Sequence, residues 1–331
     1  MTEFAYFCGH EQFQPETLVE HARLAEQAGF DWLVVSEHFH PWVDDVSSSG
    51  YAFATIAAMA MVTEKVQIAT GVTTPLFRYH PGVIAQATAT LDRLTNGRFN
   101  LGVGTGENLN EGPLGLPFPK YAERAARMKE ALVIMRRLLD GEKLTFEGEY
   151  YSTDRAKLYS PPTRYVPIWM AAGGPKSSAL AATHADGIIT SVKVPEETRE
   201  RVIDPAHVAA EAAGKDDPRI LASRWSILAQ DGDEAWEALG AWRGLRAPGR
   251  LQAVDPMELR QRADEMDREE ILSRYSIVRG PEDYVETYTP LVEFGAEVIT
   301  IQTTSLDQEK TIAMLGSEVL PELRARAAKR A

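Results

Sequence analysis

Cysteine is nearly missing from this sequence. Cys8 stands alone among 331 residues, which excludes an intramolecular disulfide framework. Also missing are a long uninterrupted apolar run and a charged-then-apolar leader, so neither membrane insertion nor export is expected, and the cytoplasm is the default compartment. Positive charge is scarce: 35 Lys and Arg against 48 Asp and Glu leave a formal net charge of -13. A uniformly acidic face repels nucleic acid and anionic membranes, so neither is an expected partner. No Pro/Gly/Ser-rich linker divides the chain. What is present is 44% hydrophobic and 25% charged residues, enough for a large core in one big α/β barrel or two ordinary domains.

One unit recurs. Ala28-Gly-Phe-Asp-Trp-Leu-Val-Val35, Ala185-Asp-Gly-Ile-Ile-Thr190 and Phe294-Gly-Ala-Glu-Val-Ile-Thr-Ile301 each follow an amphipathic helical pattern. In each, a glycine near the helix end can close the last turn left-handed, and the apolar run after it suits a buried parallel strand. Further apolar runs at Phe4–Phe7, Val66–Ala69, Phe99–Val103, Pro167–Ala171 and Ile220–Leu228 bring the candidates to eight. Helical patterns alternate with them at Pro15–Ala28, Pro81–Leu94, Tyr121–Leu139, Lys176–Ala182 and Pro281–Phe294. The economical reading is one α/β domain, a (β/α)8 TIM barrel, with a doubly wound open sheet plus a second domain as the alternative, because periodicity cannot show closure. Insertions are expected near 43–50, 112–120, 145–152 (a small hairpin), 194–218 and 245–274.

In such a barrel the functional side chains sit just after the strands. The richest such stretch is Arg98-Phe-Asn-Leu-Gly-Val-Gly-Thr-Gly-Glu-Asn-Leu-Asn110, where Gly102, Gly104 and Gly106 would let a ligand approach the backbone and Glu107 and Asn110 supply polar groups. Polar residues also follow the other strands, in Ser36-Glu-His-Phe-His-Pro-Trp42, Thr70-Gly-Val-Thr-Thr-Pro75, Ala171-Ala-Gly-Gly-Pro-Lys176 and Thr190-Ser-Val-Lys193, so they converge on one rim. The His38-x-His40 pair raises a metal hydrolase as a competing class. That class needs further His and Asp ligands after later strands, whereas His184 lies in or at the end of a helix and His80 stands at a helix start.

These segments, in this order, resemble the coenzyme F420-dependent branch of the luciferase-like barrel superfamily, most closely the F420-dependent glucose-6-phosphate dehydrogenases. The matching blocks are Glu11-Gln-Phe13, His38-Phe-His-Pro-Trp42, Phe77-Arg-Tyr-His-Pro81 with Val83-Ile-Ala-Gln86, Gly102–Glu111 and Ala171–Pro175, spread over nearly the whole chain. The resemblance implies a deazaflavin across the barrel mouth, with His38, Trp42 and Glu107 around the reacting centre. It places Glu37, Gly71, Val72, Thr74, Asn110, Ala172, Gly173 and Gly174 at the cofactor, and Gly71-Val72 where relatives carry a non-proline cis peptide. Hydride loss from a sugar C1–H requires loss of the hydroxyl proton, which His38 can accept, while Glu107 can deliver a proton to the reduced ring. The small residues before Pro175 can receive an anionic cofactor end at a helix N-terminus.

For the substrate, the resemblance implies a sugar 6-phosphate, glucose 6-phosphate first, held by Thr190, Lys193, Arg274 in Ile271-Leu-Ser-Arg-Tyr275, and Arg250, which aligns where the family has lysine. In an acidic protein, three cations gathered from remote segments call for an anion. The resemblance also implies a homodimer. Departures from the family pattern are Glu37 in place of aspartate and the unlike segments 43–50 and 112–120, which leave another hexose or pentose phosphate, or a small alcohol, open as substrate. An FMN-dependent luciferase-like monooxygenase and a non-catalytic flavin-binding protein are the other readings.

Overall fold

The computed structural model describes residues 2–330. The apolar runs become strands β1 (Glu3–Cys8), β2 (Trp32–Val35), β3 (Gln67–Thr70) and β4 (Phe99–Val103). After a hairpin of β5 (Leu144–Glu147) and β6 (Ser152–Ala156) come β7 (Ile168–Ala171), β8 (Gly187–Ser191), β9 (Arg219–Leu228), β10 (Ser276–Val278) and β11 (Val298–Thr304). Parallel pairing runs β9-β11-β1-β2-β3-β4-β7-β8, and β8 pairs back onto β9 with Ile188 opposite Ile220. That last ladder closes the barrel and overturns the open-sheet alternative. Strand β10, which the sequence reading lacks, extends the parallel pairing at the C-terminal half of β9, with Ile277 opposite Ile227.

Closure sorts each strand's side chains between two cores with the period of two that a pleated strand imposes. Along β1, Phe4, Tyr6 and Cys8 join the core under the helices, while Ala5 and Phe7 join the barrel interior. Near the strand N-termini, Trp32 and Trp169 meet edge to face with ring centroids 5.9 Å apart and plug the bottom. Higher up, Phe7, Trp225 and Trp242 form the floor of the mouth, the two tryptophan rings being 4.6 Å apart.

The helices that matter for the mouth are α1 (Pro15–Gln27), α2 (Ala52–Val62), α3 (Pro81–Leu94), α4 (Asn108–Glu111), α5 (Tyr121–Leu139) and α6 (Pro175–His184). Proline opens α1, α3 and α6, where its fixed φ is already helical and its missing N–H has no partner to lose. The His80 ring completes the start of α3 by accepting the Gly82 N–H. Helix α2, with no charged residue and an apolar character on every side, has no periodic signature in the sequence.

Of the three helix-ending glycines, Gly29 and Gly295 are left-handed at φ +90° and +95°, as expected. Gly187 is not. It is the first residue of β8, and a Cβ there would strike the Trp169 ring, so it is glycine for close packing at the barrel bottom. The segments read as insertions fold as loop (43–50), a 3-10 turn and loop (112–120), the β5–β6 hairpin, short helices between 195 and 212, and helices Pro256–Asp264 and Arg268–Leu272.

Candidate active site

At the C-terminal ends of the strands lies a cavity of about 320 Å³. The loop after β2 supplies its most reactive group. His38 places Nδ1 3.1 Å from the His40 carbonyl oxygen, which can only accept, so Nδ1 carries the proton and Nε2 of the neutral ring presents its lone pair. Nε2 stands 3.5 Å from Glu11 Oε1 and 3.9 Å from Glu107 Oε2. An imidazole and two carboxylates are thus brought together from three different strand tips. The Trp42 ring, 97% buried, lies 4.9 Å from the imidazole centroid.

In the sequence Glu11 stands only as part of a matching block, with no role of its own. It sits three residues beyond β1, is 1% exposed, and its Oε2 accepts the Ser36 hydroxyl at 2.6 Å. The signal that could have found it is the rim position itself, after the first strand. Glu37, also buried, has both oxygens engaged: Oε2 accepts from Thr73 at 2.9 Å, and Oε1 from Arg78 at 2.7 Å and Tyr79 at 3.3 Å. It still lines the cavity, but as the hub of an internal network that fixes the β3 loop.

After β3, the Gly71-Val72 peptide is cis, and both residues and Thr74 line the cavity. Of the glycines at the end of β4, Gly104 and Gly106 line the cavity, and Gly102 and Gly104 also serve packing. A Cβ on Gly102 would collide with the Thr70 carbonyl, and one on Gly104 would lie 2.6 Å from the Val72 side chain, so these glycines let strands and loops approach each other. Gly106, left-handed at φ +79°, then turns the chain so that Glu107 points inward. Asn110 ties the two loops together, its Oδ1 accepting the Phe39 N–H at 2.8 Å. Beside it Glu111 is fully buried, and neither carboxylate oxygen has a hydrogen-bond partner. Burial, with the nearby Glu37 charge adding to it and Arg78 opposing, pushes its carboxyl up to about 7.

The remaining predicted residues lie outside this cavity. Ala172, Gly173 and Gly174 form the β7 tip leading to α6, and a Cβ on Gly173 or Gly174 would meet nothing within 4 Å. Helix α5, packed beside α6, carries two groups that sequence reasoning missed because nothing in a helical pattern marks them. Burial raises the Tyr121 hydroxyl, which faces Ser177 in the first turn of α6; Nε and Nη1 of Arg124, whose guanidinium stacks 4.0 Å over Phe118, have no hydrogen-bond partner among the described residues. Thr190 is buried at the end of β8, and Lys193 is exposed. Arg250 and Arg274 line a neighbouring depression that shares Leu245 with the main cavity. Their charges are spoken for within the chain: Arg250 Nη1 donates to Glu107 Oε1 at 2.6 Å, and Arg274 pairs with Glu270 and donates to the Arg246 carbonyl.

His40 does not join His38 in a ligand pair. Its Nδ1 donates to the Val254 carbonyl at 3.0 Å, and among the described residues no group of three or more His, Cys, Asp or Glu side chains is arranged to hold a metal ion. Among the same residues no helix is long and apolar enough to cross a membrane.

Fold and rim together define a closed parallel (β/α)8 barrel whose reactive groups are collected at the strand C-termini. Residues 2–297 match the family model described as luciferase-like monooxygenase, and the chain belongs to that family. A protein of Nakamurella multipartita named F420-dependent glucose-6-phosphate dehydrogenase is 38% identical over 327 residues, covering 97% of this chain and 96% of its own. One of the same name from Microbacterium testaceum is 39% identical, covering 98% of each. A solved structure described as an F420-dependent secondary alcohol dehydrogenase in complex with an F420-acetone adduct superposes with a TM-score of 0.92 at 33% identity, covering 98% of this chain and 99% of that one.

Proposed function

We propose that this protein is an F420-dependent dehydrogenase that oxidises C1 of a sugar 6-phosphate, glucose 6-phosphate first, to the lactone. The observation that carries the reading is His38, with Nδ1 on the His40 carbonyl and Nε2 turned toward Glu11 and Glu107 at the mouth. The names of the relatives point to the same chemistry.

The residues present fit a deazaflavin with an acidic tail. The cavity is open, its wall is formed by Trp42 and the Gly71-Val72 peptide, and the uncrowded Gly173-Gly174 turn leads into the α6 N-terminus, whose first turn meets Tyr121 of α5, one turn before the unpartnered Nε and Nη1 of Arg124. When bound, the deazaflavin supplies a hydride acceptor. His38 Nε2 takes the proton of the C1 hydroxyl, and the positive charge the ring gains faces two carboxylates. Glu107, a carboxylate 3.9 Å from His38 Nε2, would receive that proton from the ring and deliver it toward the cofactor, so it acts as the acid only after the base has been charged. Asn110, through the Phe39 N–H, holds the His38 loop to the Glu107 turn, so that base and acid keep their separation. Arg250 and Arg274, in the depression beside Leu245, are candidates for the phosphate, together with Thr190 at the end of β8 and Lys193 just after it.

A homodimer fits an uncharged face: Ala54, Ala58, Met61 and Val62 of α2 and Val83 and Leu94 of α3 are exposed with no charged residue on α2. The location proposed is the cytoplasm. The second reading is an F420-dependent alcohol dehydrogenase, favoured by the TM-score of 0.92 to such an enzyme and by the prior engagement of Arg250 and Arg274. The test is to mix the protein with F420 and a panel of sugar phosphates and small alcohols and follow the deazaflavin absorbance. Bleaching with a sugar phosphate is expected. Bleaching with alcohols alone selects the second reading, and binding of FMN in preference to F420 overturns both.

A further inference from the structure

Arg250 touches two of the groups that surround His38. Its Nη1 donates to Glu107 Oε1 at 2.6 Å, while the other oxygen of that carboxylate is the one 3.9 Å from His38 Nε2. Its guanidinium carbon lies 5.7 Å from the Trp42 ring centroid. The segment that bears it is fastened to the same loops: the Leu251 and Gln252 carbonyls accept from Asn108, and the Val254 carbonyl accepts from His40. Gly244 lies so close to the Trp42 carbonyl that a Cβ would collide with it. Arg250 therefore stands on a strap across the far side of the mouth, tied to the loops after β2 and β4.

Charge gives it a task. Glu11 and Glu107 bring two negative charges to one imidazole, and Arg250 balances the second of them through a charge-assisted hydrogen bond. We infer that Arg250 is a positioning residue, which fixes the Glu107 carboxylate toward His38 and braces Trp42, rather than a ligand of the substrate's anionic end. This rests on the dehydrogenase reading and departs from it at one residue, leaving the phosphate to Lys193, Arg274 and Thr190. Arginine suits the task better than lysine because its planar fork can bond a carboxylate while it lies against an aromatic ring.

The experiment compares Arg250→Met and Arg250→Lys with the parent, loaded with F420, on a sugar phosphate and on a neutral alcohol. Arg250→Met is expected to lower kcat roughly tenfold or more on both substrates with KM within about threefold, and Arg250→Lys to recover part of kcat. In protein without F420, the emission of Trp42, read as the difference from a Trp42→Phe partner, is expected to shift in both variants. A KM for the sugar phosphate raised about tenfold, with kcat and the neutral substrate unchanged, would make Arg250 a phosphate ligand and overturn the inference. So would unchanged kinetics with unchanged Trp42 emission. If the parent turns over no sugar phosphate, the substrate reading fails by itself, and the alcohol arm and the Trp42 emission still decide the role of Arg250.

Discussion

Replacing Glu111 by glutamine should make the protein more stable, and increasingly so as the pH rises. The carboxyl is fully buried, neither oxygen has a hydrogen-bond partner, and it is pushed from 4.5 up to about 7 by burial, with Glu37 adding and Arg78 opposing. The folded state therefore holds this proton more tightly than the unfolded chain. Below pH 4.5 both states are protonated and the group is neutral in its effect. Between 4.5 and about 7 the unfolded chain has lost the proton while the folded one keeps it, so stability falls as pH rises, and it levels off above about 7. At about 1.4 kcal/mol per pH unit the full loss is about 3 kcal/mol. Glutamine has nearly the same shape and no charge to lose. Urea unfolding of the two proteins at pH 5 and pH 8 should show a difference that is small at the lower pH and grows to roughly 2–3 kcal/mol at the higher. Taking the difference cancels every other titrating group. An equal gap at both values, or a wild type favoured by the rise, would refute the burial argument.

Glu107→Gln should greatly lower deazaflavin reduction while leaving F420 affinity, read by fluorescence titration, little changed; equal rates would remove the carboxyl as proton donor. Lys193→Ala and Arg274→Ala should each raise the KM for the sugar phosphate by roughly tenfold or more, since each removes a charged hydrogen bond worth about 1.5–3 kcal/mol; an unchanged KM in both would take the phosphate away from these two cations. Met61→Glu puts a charge on the uncharged α2 face and should convert a dimer to monomer in sedimentation velocity; a wild type that sediments as a monomer would dispose of the proposed interface.

The pattern of apolar runs and amphipathic stretches was sufficient for the eight barrel strands and for α3, α5 and the helix Pro281–Phe294, because strand and helix periods are local properties of the chain. The rim rule and the matching blocks then pointed to His38, Trp42, Glu107 and Asn110, which the structure gathers around one cavity. Helix α2 escaped for want of any polar face to set a period. Glu11 escaped because a carboxylate in a loop looks like any solvated one until the barrel closes around it.

Everything that depends on distance through space was decided by closure. The sequence alone determined that strands and helices alternate, that acidic and imidazole groups follow strand ends, and that glycines punctuate the turns, since each of these is written in a few consecutive residues. Only the tertiary structure decided that Gly102 and Gly187 make room for a carbonyl and a tryptophan, and that Glu37 is spent on Thr73, Arg78 and Tyr79. It likewise decided that Arg250 reaches Glu107 across 143 residues of chain. Partners of this kind are chosen by which strand tips the closed sheet makes adjacent, and that adjacency is a property of the whole ring of hydrogen bonds, present in no single stretch of residues.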